Sequence, residues 1–128
     1  MTAMSNYLEN VLINTTLRGQ TYTAPTFVYL ALFTSDPTDA ATGTEVAGGG
    51  YLRQTISFGI PSNGASSSGS DVIFPIATAS WGTVTHIAIY DAQTAGNMLY
   101  YGQLTASKTI ASGDQLRVAA GDITVTLA

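Results

Sequence analysis

Apolar and polar positions alternate with two different periods along this chain, and the change falls at Gly19. Before it, Leu8, Val11, Leu12 and Thr15 recur at the i, i+3, i+4, i+7 spacing of one helical face. The spacing predicts a helix over 5–18. Ser5 or Asn6 is placed to cap it, Glu9 sits in the first turn, and Gly19 follows as a stop. Ile13 and Leu17 form a second apolar stripe, so the helix is expected to pack on more than one neighbour.

After Gly19 the pattern becomes β. Thr26–Thr34 is apolar on both faces, with Phe27, Tyr29, Ala31 and Phe33 alternating with Val28, Leu30 and Leu32, as in a fully buried strand. Ser35-Asp36-Pro37 ends it, because proline has no N–H for a ladder and Asp favours turns. Further strands are expected at Leu52–Phe58, Asp71–Phe74, Val84–Tyr90, Met98–Leu104, Gln115–Val118 and Ile123–Leu127. Turn signals separate them, and Gly48-Gly49-Gly50 allows backbone angles that other residues disfavour. The prediction is a single mainly β domain over 1–128: one N-terminal helix, then an antiparallel sandwich or small barrel from residue 20 onward. Ser62–Ser70 (SNGASSSGS) is expected to be an exposed, mobile loop, since it has no side chain that buries area.

Composition shifts the picture towards assembly. The 128 residues are 45% hydrophobic but only 9% charged, against about 25% in an average domain. Charge keeps monomers apart, so such a surface favours association. The net charge is −4, and the four basic residues Arg18, Arg53, Lys108 and Arg117 are dispersed, which argues against nucleic acid as a partner. No apolar run is long enough to span a membrane, and MTAMSNYLEN lacks the features of a secretory signal.

Candidate chemistry is sparse. Without cysteine there is no thiolate nucleophile and no cysteine-ligated metal. His86, the single histidine, lies in a strand with no nucleophile elbow in the chain, so it is read as hydrogen-bonded locally. Asp36, Asp39 and Glu45 share a loop, but their spacing matches no calcium loop, and Asp36 is read as capping the backbone that follows. No catalytic residue, cofactor site or metal site is expected. Phe27, Phe33, Phe58, Phe74 and Trp81 are assigned to the core. The tyrosines, with a polar tip on a large apolar body, suit interfaces; adjacent Tyr100 and Tyr101 must point to opposite faces.

The chain also resembles a family of short tailed-bacteriophage virion proteins. The resemblance rests on the opening Ser5-Asn6-Tyr7-Leu8-Glu9-Asn10, then "TYTAPT.VYLALFTSDPTDA.TGTEV.GGGY.RQ" from Thr21. It continues with "FP.ATA.WGT.TH.AI.DA...GNMLYYG.LT.SKTI.SGDQ...AAGD.TVTL" from Phe74, so that it runs from Ser5 to Leu127. It implies a virion structural protein of the tail-fibre or capsid-decoration kind, assembled in the host cytoplasm. The favoured expectation is a non-enzymatic capsid decoration (cement) subunit, a homotrimer bound to the major capsid protein or other virion proteins. The alternative is a tail-fibre or tail-tip component for host attachment, with Trp81 or exposed tyrosines as carbohydrate platforms. Met1–Gly19 and Asp36–Gly50 are the expected contact elements, with Tyr7, Leu8, Val11, Leu12, Asp36, Asp39, Glu45, Tyr51 and Tyr101 as interface residues.

Overall fold

The computed structural model describes residues 2–127. In chain order its elements are β1 (Thr2–Met4), α1 (Asn6–Leu17), β2 (Val28–Phe33), β3 (Gln54–Ile56) and β4 (Ala65–Ser67). They continue with β5 (Val72–Ile73), β6 (Gly82–Tyr90), β7 (Met98–Ile110), β8 (Arg117–Val118) and β9 (Thr124–Thr126). Five strands form one antiparallel sheet in the order β1-β7-β6-β2-β3, and β4–β9 and β5–β8 form two small ladders. The architecture is mainly β, as the strand pattern predicts, and the sheet of described residues does not close into a barrel.

The doubly apolar run behaves as its sequence dictates. Leu30, Ala31, Leu32 and Phe33 of β2 are all buried, because β6 and β3 flank the strand and both faces are covered. Phe27, by contrast, is 61% exposed, correcting its assignment to the core. The β2–β3 ladder ends at Val28↔Ile56, so Phe27 lies outside it.

On one face of the sheet, Leu30, Leu32, Val84 and Ile87 meet Val72, Phe74, Trp81 and Ile123 from the ladders and their linkers. Tyr51, Phe74 and Trp81 pack ring against ring, with centroids 5.5–6.3 Å apart. Burial of Phe74 and of Trp81 contributes roughly 1.5–3 kcal/mol each. Gly49 is needed beside them. It has φ 59°, its carbonyl accepts the Trp81 indole N–H at 2.8 Å, and a Cβ there would lie 2.9 Å from that nitrogen.

On the other face a smaller cluster forms from Ala31, Phe33, Ala88, Tyr90 and Met98, with Tyr101 packed against it. Helix α1 begins on this side. Ser5 caps it, accepting the Leu8 N–H at 3.2 Å, and its hydroxyl also donates to the Met98 carbonyl. The Ser5 N–H bonds the Leu99 carbonyl at 2.9 Å, so the helix start is fastened to β7. Gly19 follows the helix at φ 66°. The expected face is only partly used: Leu8 is buried, Val11 and Leu12 are half-buried, and Ile13 and Leu17 are exposed. The second stripe is therefore largely open to solvent among the described residues.

Ser62–Ser70 is not the plain loop its composition predicts. Ser62 and Ala65 exchange backbone hydrogen bonds at 2.9 and 3.0 Å around Asn63 and Gly64, at φ 52° and 77°. Such a turn matches the twist of a tight hairpin. Beyond it β4 pairs with β9, and Ser68 is buried with its hydroxyl accepting the Gly121 N–H at 3.0 Å.

Candidate binding surface

Arg53 organises the helix-side face. It follows Tyr51-Leu52 just before β3 and is 7% exposed. Its Nε and Nη2 donate to the two Glu45 carboxylate oxygens at 2.8 Å each. Its Nη1 donates to the Ala92 and Ala95 carbonyls at 2.9 and 2.8 Å. The guanidinium also lies over the Tyr90 ring, 3.7 Å from its centroid. Four of its five N–H donors are thus used inside the chain. Burial opposes its charge, but the Glu45 hydrogen bonds and charge outweigh that and hold the guanidinium more firmly protonated. Tyr51 completes the network, donating to Glu45 at 2.7 Å and accepting the Leu32 N–H at 3.0 Å. Burial, then the bond to Glu45, pushes its hydroxyl pKa far up.

This pin fixes the β6–β7 hairpin loop against the sheet. The loop is also shaped from within: Asp91 accepts the Asn97 backbone N–H at 2.7 Å and its side-chain N–H at 3.1 Å. Gly96, at φ 74°, has no room for a Cβ, which would approach Asp91 to 2.6 Å. Facing the loop across an open cleft is the start of α1. There the Asn6 N–H bonds the Asp39 carbonyl at 2.9 Å, and the Tyr101 hydroxyl donates to the Asp39 carboxylate. That bond, with burial and the acidic surroundings, pushes the Tyr101 pKa up to about 12. The cleft has a volume of about 400 Å³ and is lined in part by Tyr7, Asp39, Arg53, Tyr90 and Asn97.

Compared with known protein families, residues 3–126 match the one described as Podophage GP4 fiber I protein gp80. The chain belongs to this family. It is a structural component of a tailed-phage virion, in agreement with the resemblance its sequence carries. No curated protein matches it.

For a fibre I family protein, the expected interface residues divide into three groups. Tyr7, Asp39 and Tyr101 are brought together beside the cleft. Leu8, Glu45 and Tyr51 lie away from the cleft's open surface: Leu8 is buried, Glu45 is paired with Arg53, and Tyr51 bonds Glu45 and the backbone of β2. Val11 and Leu12 lie farther along α1, and Asp36 caps its own turn through the Thr38 N–H at 2.9 Å. Trp81 cannot serve as a carbohydrate platform, since it is 4% exposed with its indole N–H satisfied. His86 bonds its neighbour Thr85 at 2.8 Å, as expected for a local strand residue. Among the described residues no group of three or more His, Asp or Glu is placed to hold a metal, and no helix is long and apolar enough to cross a membrane.

Arg53, Asn6 and Asn97 belong to this surface without being interface candidates from sequence, and Tyr90 stands out there only as one of the tyrosines suited to interfaces. For Arg53 a signal existed: a lone cation beside a strand, eight residues after the loop's glutamate, must find a partner if it is buried. The others carry no such mark, because pairing of the β6–β7 hairpin, not local sequence, places them.

Proposed function

We propose that the chain is a non-enzymatic building block of the phage tail fibre, held in place by protein–protein contacts and serving host attachment. The observation that carries this reading is the fibre description of the family matched over 3–126. It supports the tail-fibre alternative over the capsid-decoration role. The surface is compatible with assembly: charge is scarce, and Ile13 and Leu17 of α1 are 53% and 79% exposed. The partners in this reading are other virion proteins and further copies of the chain, assembled in the host cytoplasm.

Immunogold labelling of purified virions tests the placement. Gold confined to the tail region is the expected result. Gold spread evenly over the head would return the protein to the shell.

A further inference from the structure

We propose that the cleft between the start of α1 and the Asp91–Asn97 hairpin binds one unit of a neutral saccharide. The proposal deepens the fibre reading by giving that fibre a ligand class. Its volume, about 400 Å³, falls within the range of small-molecule sites.

The chemistry of the lining selects the ligand. The side-chain amide of Asn6 and the hydroxyls of Tyr7 and Tyr90 make no hydrogen bond within the described residues. One Asp39 carboxylate oxygen accepts from Tyr101, and the other has no hydrogen bond among the described residues. The amide and the hydroxyls can each donate and accept, matching a ligand whose hydroxyls also do both. Tyr7, 37% exposed, supplies apolar surface to the same cleft, suited to the C–H face of a sugar ring, while the Tyr90 ring is covered by Arg53 and contributes its hydroxyl alone.

Charge excludes the main rivals. The cleft's cation, Arg53, is neutralised by Glu45 and spends four of its five N–H groups internally, which leaves no unpaired positive charge to recognise a phosphate or carboxylate. Asp39 would repel such groups. The walls are also held before any ligand arrives, by the Arg53 pin on one side and by Ser5 and Asp39 on the other. Preorganisation of this kind lowers the ordering cost of binding.

The test is a titration of the isolated chain, followed by amide NMR, with a panel of neutral monosaccharides: glucose, galactose, mannose, rhamnose and N-acetylglucosamine. Inorganic phosphate and acetate serve as anionic controls. The expected result is weak, saturable binding of at least one sugar, with shifts confined to Asn6, Tyr7, Asp39 and Gly96–Asn97. Tyr7→Ala and Asn6→Ala should each weaken it by about tenfold, near the effect of one lost polar contact, while the remaining spectrum stays unchanged. No response to any sugar, shifts elsewhere, undiminished binding by both variants, or a stronger response to the anions would overturn the proposal. Because the titration uses the isolated chain, its failure leaves the placement on the virion untouched. Gold on the head would likewise leave a positive titration standing.

Discussion

The two faces of the five-stranded sheet are built on different principles. On the ladder side, Phe74, Trp81 and Val84 are within a few percent of complete burial, and the polar tips of Trp81 and Tyr51 are satisfied internally. On the helix side, the apolar cluster is small, and a buried ion pair, a serine cap and tyrosine hydroxyls hold the pieces together. The closed face derives its stability from apolar area, which is non-directional. The open face depends on directional bonds that fix a loop and a helix end while leaving several polar groups turned to solvent. A face of the second kind contributes less stability and offers more to a partner.

Substitutions can break this contrast at several strengths. Trp81→Ala strikes the closed face and should lose roughly 3–5 kcal/mol, the usual range for an aromatic removed from a core. Urea denaturation measures it. Glu45→Gln strikes the open face by leaving Arg53 buried without its counter-charge. Removing one partner of a fully buried pair costs about 3–5 kcal/mol. Since the Glu45 side chain keeps 25% exposure, a loss nearer 2–3 kcal/mol is expected. Its structural signature should be loosening of the Ala92–Ala95 loop in hydrogen exchange, with the Trp81 region protected. Gly49→Ala adds a Cβ to a left-handed backbone beside the indole and should cost roughly 2 kcal/mol.

Two smaller effects sharpen the contrast. Tyr101 has its pKa raised from 10.0 to about 12 in the folded chain. The stability it contributes is therefore complete below pH 10 and lost as the pH rises from 10 to about 12. Tyr101→Phe should flatten that part of the alkaline unfolding curve and leave neutral pH slopes unchanged. Leu17→Ser, on the exposed stripe of α1, should shift stability by no more than about 0.5 kcal/mol. A larger loss in the isolated chain would mean that this stripe is covered.

The same contrast separates what the sequence reveals from what it hides. Elements built by apolar periodicity are legible: the helix over 5–18 appears as Asn6–Leu17 with Ser5 as its cap, and every expected strand overlaps an observed one, β6 and β7 running beyond their expected ends. β4 was not legible, because its Ala-Ser-Ser sequence has no apolar face and owes its existence to pairing with β9. β1 is likewise three residues held by β7. Tyr7, Asp39 and Tyr101 stand out in the sequence only on the general grounds that tyrosines and acidic loops favour contacts. Their convergence with Asn6 and Asn97 depends on long-range hairpin geometry. That Leu8, Glu45 and Tyr51 are engaged within the chain is not legible locally, because a local pattern does not tell which side of a segment the remaining chain will cover.

The fibre assignment is tested most directly by the number of copies in each virion, measured by quantitative mass spectrometry against the major capsid protein. A fibre component should be present in a few to a few tens of copies. Hundreds of copies, approaching one per capsid subunit, would contradict the fibre assignment and restore the decoration of the shell.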